Sequence, residues 1–451
     1  MPSRHEYDAV VVGARCGGAA TAMLLARQGL RVLLLDRARR GSDTLSTHAL
    51  MRGGALLLHR WGILDQIAAA GTPPVRHTRF HYGDPQQGGE TVTVTLKPVA
   101  GIEALYAPRR TLLDVLLVDA AVAAGAEVRF GVAVTDVLRD GTGRVAGVTG
   151  RDRAGPGVRV SAGLTVGADG IRSVVARRAG ARTRWLGSGS GAVIYGYWSG
   201  LDVIGYEWFY RPGASAGLIP TNDGDVCVFA GTSTDRFAEM AGDLPGGYHR
   251  LLEEATGGAH GRLAAARAPR RLRAFPGRPS YLREPAGPGW ALVGDAGGFL
   301  DPLSTHGITD ALRDAHLLAR AVADHRRGEA TEASALTRYG NLREEISSPL
   351  YPVMDQVAGY RWDLPTLRRL LRESSSAMSA EVEAISRLTD DIGASAAHRK
   401  FLTGLGLLCV VVMRLSGGRC LAVGGGRGSG RARRQRCSST CTGGRFCCVG
   451  W

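Results

Sequence analysis

The chain has 451 residues, 44% of them apolar, the balance of a soluble globular protein with room for two or three domains and a large core. Its net charge of +15 is uneven: Leu402 to Trp451 hold eight arginines and no acidic residue, so the tail carries +8 and the body only +7, too little to argue for a nucleic-acid partner. No run of about 18 apolar residues is present and the opening MPSRHEYDAVVVG lacks the order of a secretory signal, so a cytoplasmic protein without a membrane span is expected.

The first element is Tyr7 to Gly18, YDAVVVGARCGG. Ala9 to Val12 are small or β-branched and apolar, and a glycine turn then opens a helix at about Gly17, the arrangement of a buried parallel strand feeding a dinucleotide-binding helix. The helix runs to Gln28 and closes at Gly29. A second strand from Arg31 to Leu35 ends on Asp36, 23 residues after Gly13, where a carboxylate can accept hydrogen bonds from the ribose hydroxyls of an adenosine. The fingerprint G-x-G-x-x-G is here Gly13-x-Arg15-x-x-Gly18. Arg15 either pushes phosphates outward or replaces the backbone contact by a charge-assisted bond, and the second option is favoured. Arg37, next after Asp36, counts as a further cofactor-binding residue. A polar loop then leads to a helix-period pattern from Met51 to Ile67. Arg52, Gly53 and Gly54 there offer either a guanidinium and close backbone to a ligand, or a plain helix start with a solvated arginine.

The segments HTRFHYGD and GGETVTVTLK alternate and read as a hairpin leaving the first domain. From Tyr106 a helix with Arg109 and Arg110 at its start returns to it, followed by strands at Glu127–Phe130, Val132–Val137, Val145–Thr149 and Val158–Val166. Asp169-Gly170 then stands at a strand end, as a carboxylate facing a nucleotide or as a helix cap. Residues 183–283 hold strand-like pieces of a mostly antiparallel sheet. Tyr195 with Tyr197, and Trp208 with Tyr210, share faces that either line an apolar pocket or pack on helices. The strand WALVG delivers Gly294 and Asp295, and the loop from Pro302 to Gly307 leads into a helix with apolar residues at helical spacing. Free N–H groups at that helix start can stabilise electron density on a reduced, anionic ring system. Helices are expected at 331–345, 364–373 and 378–388. After Thr403 periodicity fails, and a disordered Gly/Arg/Cys-rich tail is expected. Cys437, Cys441, Cys447 and Cys448 fit no common zinc spacing and no histidine follows residue 400, so no metal is expected.

Gly13 to Asp36, Asp169-Gly170, and Gly294-Asp295 with Pro302 to Gly307, in that order and at those separations, resemble the FAD-dependent monooxygenases of the para-hydroxybenzoate hydroxylase type. The likeness covers about residues 7 to 325, and the helical segment after it looks like the capping region of actinobacterial members. It implies an α/β fold: a Rossmann-like FAD-binding domain of the glutathione-reductase type with an inserted antiparallel β-sheet substrate domain and C-terminal helices. The FAD-binding parts would be 1–72, 103–182 and 288–330, the substrate parts 73–102 and 183–287, the helical segment 331–403 and the tail 404–451. By the resemblance, Asp36 would bind the adenosine ribose, Arg52 and Arg110 would lie along the FAD, and Asp295 would hold the ribityl chain. Asp169-Gly170 would match the motif linked to FAD and to the passing nicotinamide nucleotide. His306, Gly307 and Ile308 would meet the flavin pyrimidine edge with backbone donors, Thr305-His306-Gly307 standing where many members have Gly-Gln-Gly.

The resemblance further implies that NADPH or NADH reduces the flavin, that O2 is captured as a C4a-hydroperoxide, and that one oxygen passes to an aromatic or polyketide-like small molecule. His306 is the catalytic candidate, with His48 and His81 behind it. Two other flavin chemistries stay open, alkene reduction of the geranylgeranyl-reductase kind and halogenation, for which Lys97 is the lysine on offer. From another class comes a flavin-binding protein without turnover.

Overall fold

In the computed structural model, which describes residues 5–84, 88–153, 155–257 and 260–388, strand β1 (Tyr7–Val12) lies inside an eight-stranded sheet. Ala9, Val10 and Val11 are completely buried, because helices or strands cover both faces of a parallel sheet. From one edge the path runs through Ala286–Gly287, Trp290–Leu292, Gly157–Gly167, β1, strand β2 (Val32–Asp36) and Glu127–Phe130. All pairs on it are parallel except the first. The register sets Val12 beside both Leu35 and Gly167. The strands therefore stop together, and the turns at Gly13, Asp36 and Ala168 collect at one carboxyl edge, where an open α/β sheet binds ligands.

Helix α1 (Cys16–Ala26) follows the first turn and is buried along its whole length, with alanines at 19, 20, 22 and 26 letting the sheet and the helix Gly307–Arg326 approach closely. Gly18 is required here: a Cβ on it would lie 1.7 Å from the Gly13 carbonyl oxygen.

The second sheet has seven strands, in the order Arg273–Phe275, Gly191–Ser199, Asp225–Ser233, Ala214–Pro220, Tyr206–Arg211, His77–Tyr82, Glu90–Thr95. It is antiparallel apart from one parallel pair, Tyr206–Arg211 with His77–Tyr82, where the two separate excursions of the chain meet. Both faces are covered. Ile194, Trp198, Phe209 and Val228 pack on the helix Leu244–Thr256, while Tyr206, Trp208, Tyr210 and Phe229 pack with residues of the helices Leu350–Ala358 and Leu364–Arg387.

The two helices expected at 364–373 and 378–388 are one, Leu364–Arg387. The serines between them do not break it, because Ser374 returns its hydroxyl to the Leu371 carbonyl at 2.9 Å and Ser379 to Ser375 at 2.8 Å. The expected tail at 404–451, its cysteines and the end of the 331–403 segment lie outside the described residues. Among the described residues no helix is long and apolar enough to cross a membrane.

Candidate functional site

A cavity of about 1000 Å³ opens along the carboxyl edge of the first sheet and runs to the second. Gly13, Arg15, Asp36, Arg37 and Arg110 border one end; Asp169, Gly170, Gly294, Asp295, Pro302, His306, Gly307 and Ile308 border the middle and far side. Of the far wall the sequence offered Tyr195 and His48; it gave no signal for Asp43 to Thr47, Ala49, Phe275 or Arg278. None of these carries a local motif; they meet because the second sheet docks there.

At the first end the turn is rigid. Gly13 has φ +105°, and a Cβ there would sit 2.3 Å from the Ala168 carbonyl oxygen. Asp36 accepts from the Ala14 N–H at 2.7 Å and the Ala38 N–H at 2.6 Å, so its carboxylate pins the turn as well as bordering the cavity. Helix α1 has no side-chain cap, and its first N–H groups, at Cys16 and Gly17, belong to residues on the cavity wall. Arg15 departs from the expectation of a guanidinium given over to phosphate. It is held by the Ser42 carbonyl at 2.5 Å and by Asp114 at 3.1 Å, and Asp114 also binds Arg110 at 2.9 Å. Asp169 likewise turns to the helix behind it, accepting from Ser173 Oγ at 2.5 Å and Val174 N–H at 2.6 Å. The N-cap itself is Ser173, whose hydroxyl accepts from the Ala176 N–H, and Asp169 still borders the cavity.

Asp295 is different. Its carboxylate has no hydrogen-bond partner among the described residues, and burial pushes it up to about 7, with Asp310 adding to the rise and Arg110 opposing it. The neighbouring loop is tied down by Asp301, which accepts from Gly191 N–H at 2.9 Å and Leu303 N–H at 3.0 Å; burial raises its own carboxyl to about 6 against those bonds. Thr305 is held at φ +54°, an uncommon conformation for a β-branched residue. It leads into the helix Gly307–Arg326, which has no side-chain cap either. A Cβ on Gly307 would meet no atom within 4 Å, so the helix start faces open space.

His306 does not offer a free base. Its Nε2 makes a short hydrogen bond to Glu381, 75 residues on. Burial alone would strip the ring of its proton, but Glu381 and Asp310 outweigh it and hold the histidine above its ordinary value. His48, by contrast, borders the cavity at φ +68°, shares a 2.5 Å hydrogen bond with Tyr197, and is kept neutral by burial and by Arg110, Arg109 and Arg273.

Several expected residues lie elsewhere. Arg52 starts the helix Arg52–Arg60 and does not border the cavity; Gly53 and Gly54 serve close packing, since a Cβ on either would press on Thr309 at 3.2 or 2.9 Å. Gly18 acts under the turn and not on the ligand side. His81 stacks on Phe209 and bonds Thr91 at 2.9 Å in a separate small cavity. Of the four sheet aromatics only Tyr195 reaches the main cavity; Tyr210 abuts Trp362, and Tyr197 lies under Arg109.

Two uncapped helix starts, a glycine turn closed to side chains, and a carboxylate without a partner fit an elongated ligand with phosphates, hydroxyls and an electron-accepting ring. FAD has these parts, and the residues fit it. The comparisons with known proteins agree. The chain is 26% identical over 371 residues to the digeranylgeranylglycerophospholipid reductase of Methanocella arvoryzae, covering 77% of this chain and 85% of that protein. It is 32% identical over 185 residues to aklavinone 12-hydroxylase RdmE of Streptomyces purpurascens, covering 38% and 34%. Its fold resembles that of the flavin-dependent brominase Bmp2 with a TM-score of 0.69 at 18% identity, over 90% of this chain and 99% of that one. The FAD binding domain family matches residues 6–350, so the chain belongs to that family and is an FAD-dependent oxidoreductase.

Proposed function

We propose that the protein is an NAD(P)H-dependent FAD monooxygenase that places one atom of O2 into an aromatic or polyketide-like small molecule. The observation that carries this reading is the uncapped start of the helix Gly307–Arg326 on the cavity wall, backed by His306, whose ring Glu381 and Asp310 hold above its ordinary value. Free N–H groups and positive charge favour negative charge on a ring bound there. In this reading Asp36 takes the adenosine ribose, the N–H groups of Cys16 and Gly17 meet phosphate, and Arg110 lies along the cofactor. Asp295 takes the ribityl hydroxyls, while Gly307 and Ile308 donate to the pyrimidine edge. FAD, once bound, supplies the electron store and the centre that activates oxygen. The chain's own part is to orient the substrate and exclude water, with Val193, Tyr195, Phe299 and Leu300 as apolar wall. NAD(P)H visits as the electron donor.

Alkene reduction is the second reading, favoured by the reductase relative that matches over most of both chains. Halogenation is less well supported, because Lys97 is exposed next to the edge strand Glu90–Thr95 and away from the cavity. The test is turnover with NADPH under labelled oxygen gas, using aromatic and isoprenoid substrates. The proposal expects the flavin to bleach and one heavy oxygen to appear in the product. A product that gains two hydrogens and no label would sink it in favour of the reductase.

A further inference from the structure

Behind the start of the helix Gly307–Arg326 lies a network of six ionisable side chains, none more than 4% exposed: His306, Asp310, Arg313, Asp314, Arg343 and Glu381. Arg313 holds Asp310 at 2.5 Å, Glu381 at 2.7 Å and Asp314 at 2.9 Å. Arg343, from the helix Glu332–Ser347, holds Asp314 at 2.8 Å. Three carboxylates thus face two guanidiniums. The third positive charge is the His306 ring, whose Nε2 contacts Glu381 and lies 3.9 Å from Asp310. A buried cluster left with net charge is far costlier than a neutral one, so the cluster keeps one proton. Burial raises the Asp310 carboxyl too, but Asp310 already accepts from Arg313, whereas the ring Nε2 contacts Glu381 directly, which places the proton on His306. The same three acidic and imidazole groups have the spacing of a metal site, but Arg313 already fills the position between Asp310 and Glu381.

His306 also stands at the N-cap position of the helix, directly after the strained Thr305 and before the open Gly307, but its side chain turns to Glu381 and leaves the first N–H groups free. Glu381 itself borders no part of the cavity; it sits on the helix Leu364–Arg387 and reaches the site through the ring. We propose that Glu381 is a positioning residue for the reduced cofactor. It keeps His306 cationic and fixes the Thr305–Gly307 turn, so that negative charge on a ring bound at this helix start meets an imidazolium in addition to the free N–H groups. The inference rests on the flavin ring lying at that helix start, as proposed above.

The midpoint potential of bound FAD, measured by dye equilibration on the purified holoenzyme, tests it. In Glu381→Gln and in His306→Gln, reduced FAD should be held about tenfold less tightly relative to oxidised FAD, a fall of about 30 mV for a two-electron couple. With Glu381→Gln the ring is left with Asp310 as its one carboxylate against Arg313, and it should release its proton in the neutral range. In Glu381→Gln that same fall should therefore appear as a step as pH rises through about 6 to 8, a step absent from the wild type and from the double variant, whereas His306→Gln shows it at every pH. His306→Gln retains a donor toward Glu381 and covers the case in which Glu381→Gln does not fold. Flavin content and melting temperature report folding separately. A wild-type potential in the variants that bind FAD overturns the inference and leaves the site reading intact, whereas a wild-type protein that takes up no FAD overturns both.

Discussion

Replacing Asp295 by asparagine should make the FAD-free protein more stable and the FAD complex weaker. The carboxylate stands without a hydrogen-bond partner among the described residues, and burial, with Asp310 behind it, moves it from 3.8 to about 7. At about 1.4 kcal/mol per unit, a shift of that size corresponds to roughly 4 kcal/mol. The side chain is only part-buried and borders the open cavity, so solvent screening brings the cost to about 2 kcal/mol. The native state keeps a proton that the unfolded chain has already released, so stability falls as pH rises from about 4 toward about 7, and the whole penalty is present above that. Asparagine removes the charge and with it the penalty. Thermal melts of the FAD-free proteins should show little advantage for Asp295→Asn near about pH 4 and an advantage on the order of 3 °C at about pH 8. Titration with FAD should show binding weakened by about tenfold or more, because ribityl hydroxyls lose a charged acceptor. An asparagine variant no more stable than the parent at high pH, or one that binds FAD as tightly, would refute the assignment of Asp295 as an unpartnered ligand-facing carboxylate.

Gly18→Ala should cost about 3 kcal/mol or more, since its Cβ would overlap the Gly13 carbonyl and force the turn to move; melting temperature and flavin content should fall together. Gly307→Ala should leave the melting temperature unchanged or slightly raised, because nothing lies within 4 Å of the added methyl, while FAD titration shows weaker binding as that methyl enters the cavity. Trp208→Ala should lose about 3–5 kcal/mol in denaturant unfolding with FAD affinity nearly unchanged, since Trp208 packs in the buried cluster shared with the C-terminal helices and does not border the cavity.

The sequence by itself determined the βα unit, the ends of its strands, and the loop ahead of the helix Gly307–Arg326. These are nearest-neighbour properties: an apolar run with no polar alternation has to be buried on both faces, a glycine at φ +105° follows from a tight turn, and a carboxylate at a strand end stands at the sheet edge. Tertiary structure decided which charges are already satisfied. Arg15 is taken up by Asp114, 99 positions away, and His306 by Glu381, 75 away, and no periodicity encodes partners brought together only by the path of the chain. Burial decided the rest. The aromatics of the second sheet read as pocket or, more often for such a face, as core, and the helices Leu350–Ala358 and Leu364–Arg387 supply the apolar surface that makes Tyr206, Trp208 and Tyr210 core, because covering that face removes more apolar area from water than leaving it open to a ligand.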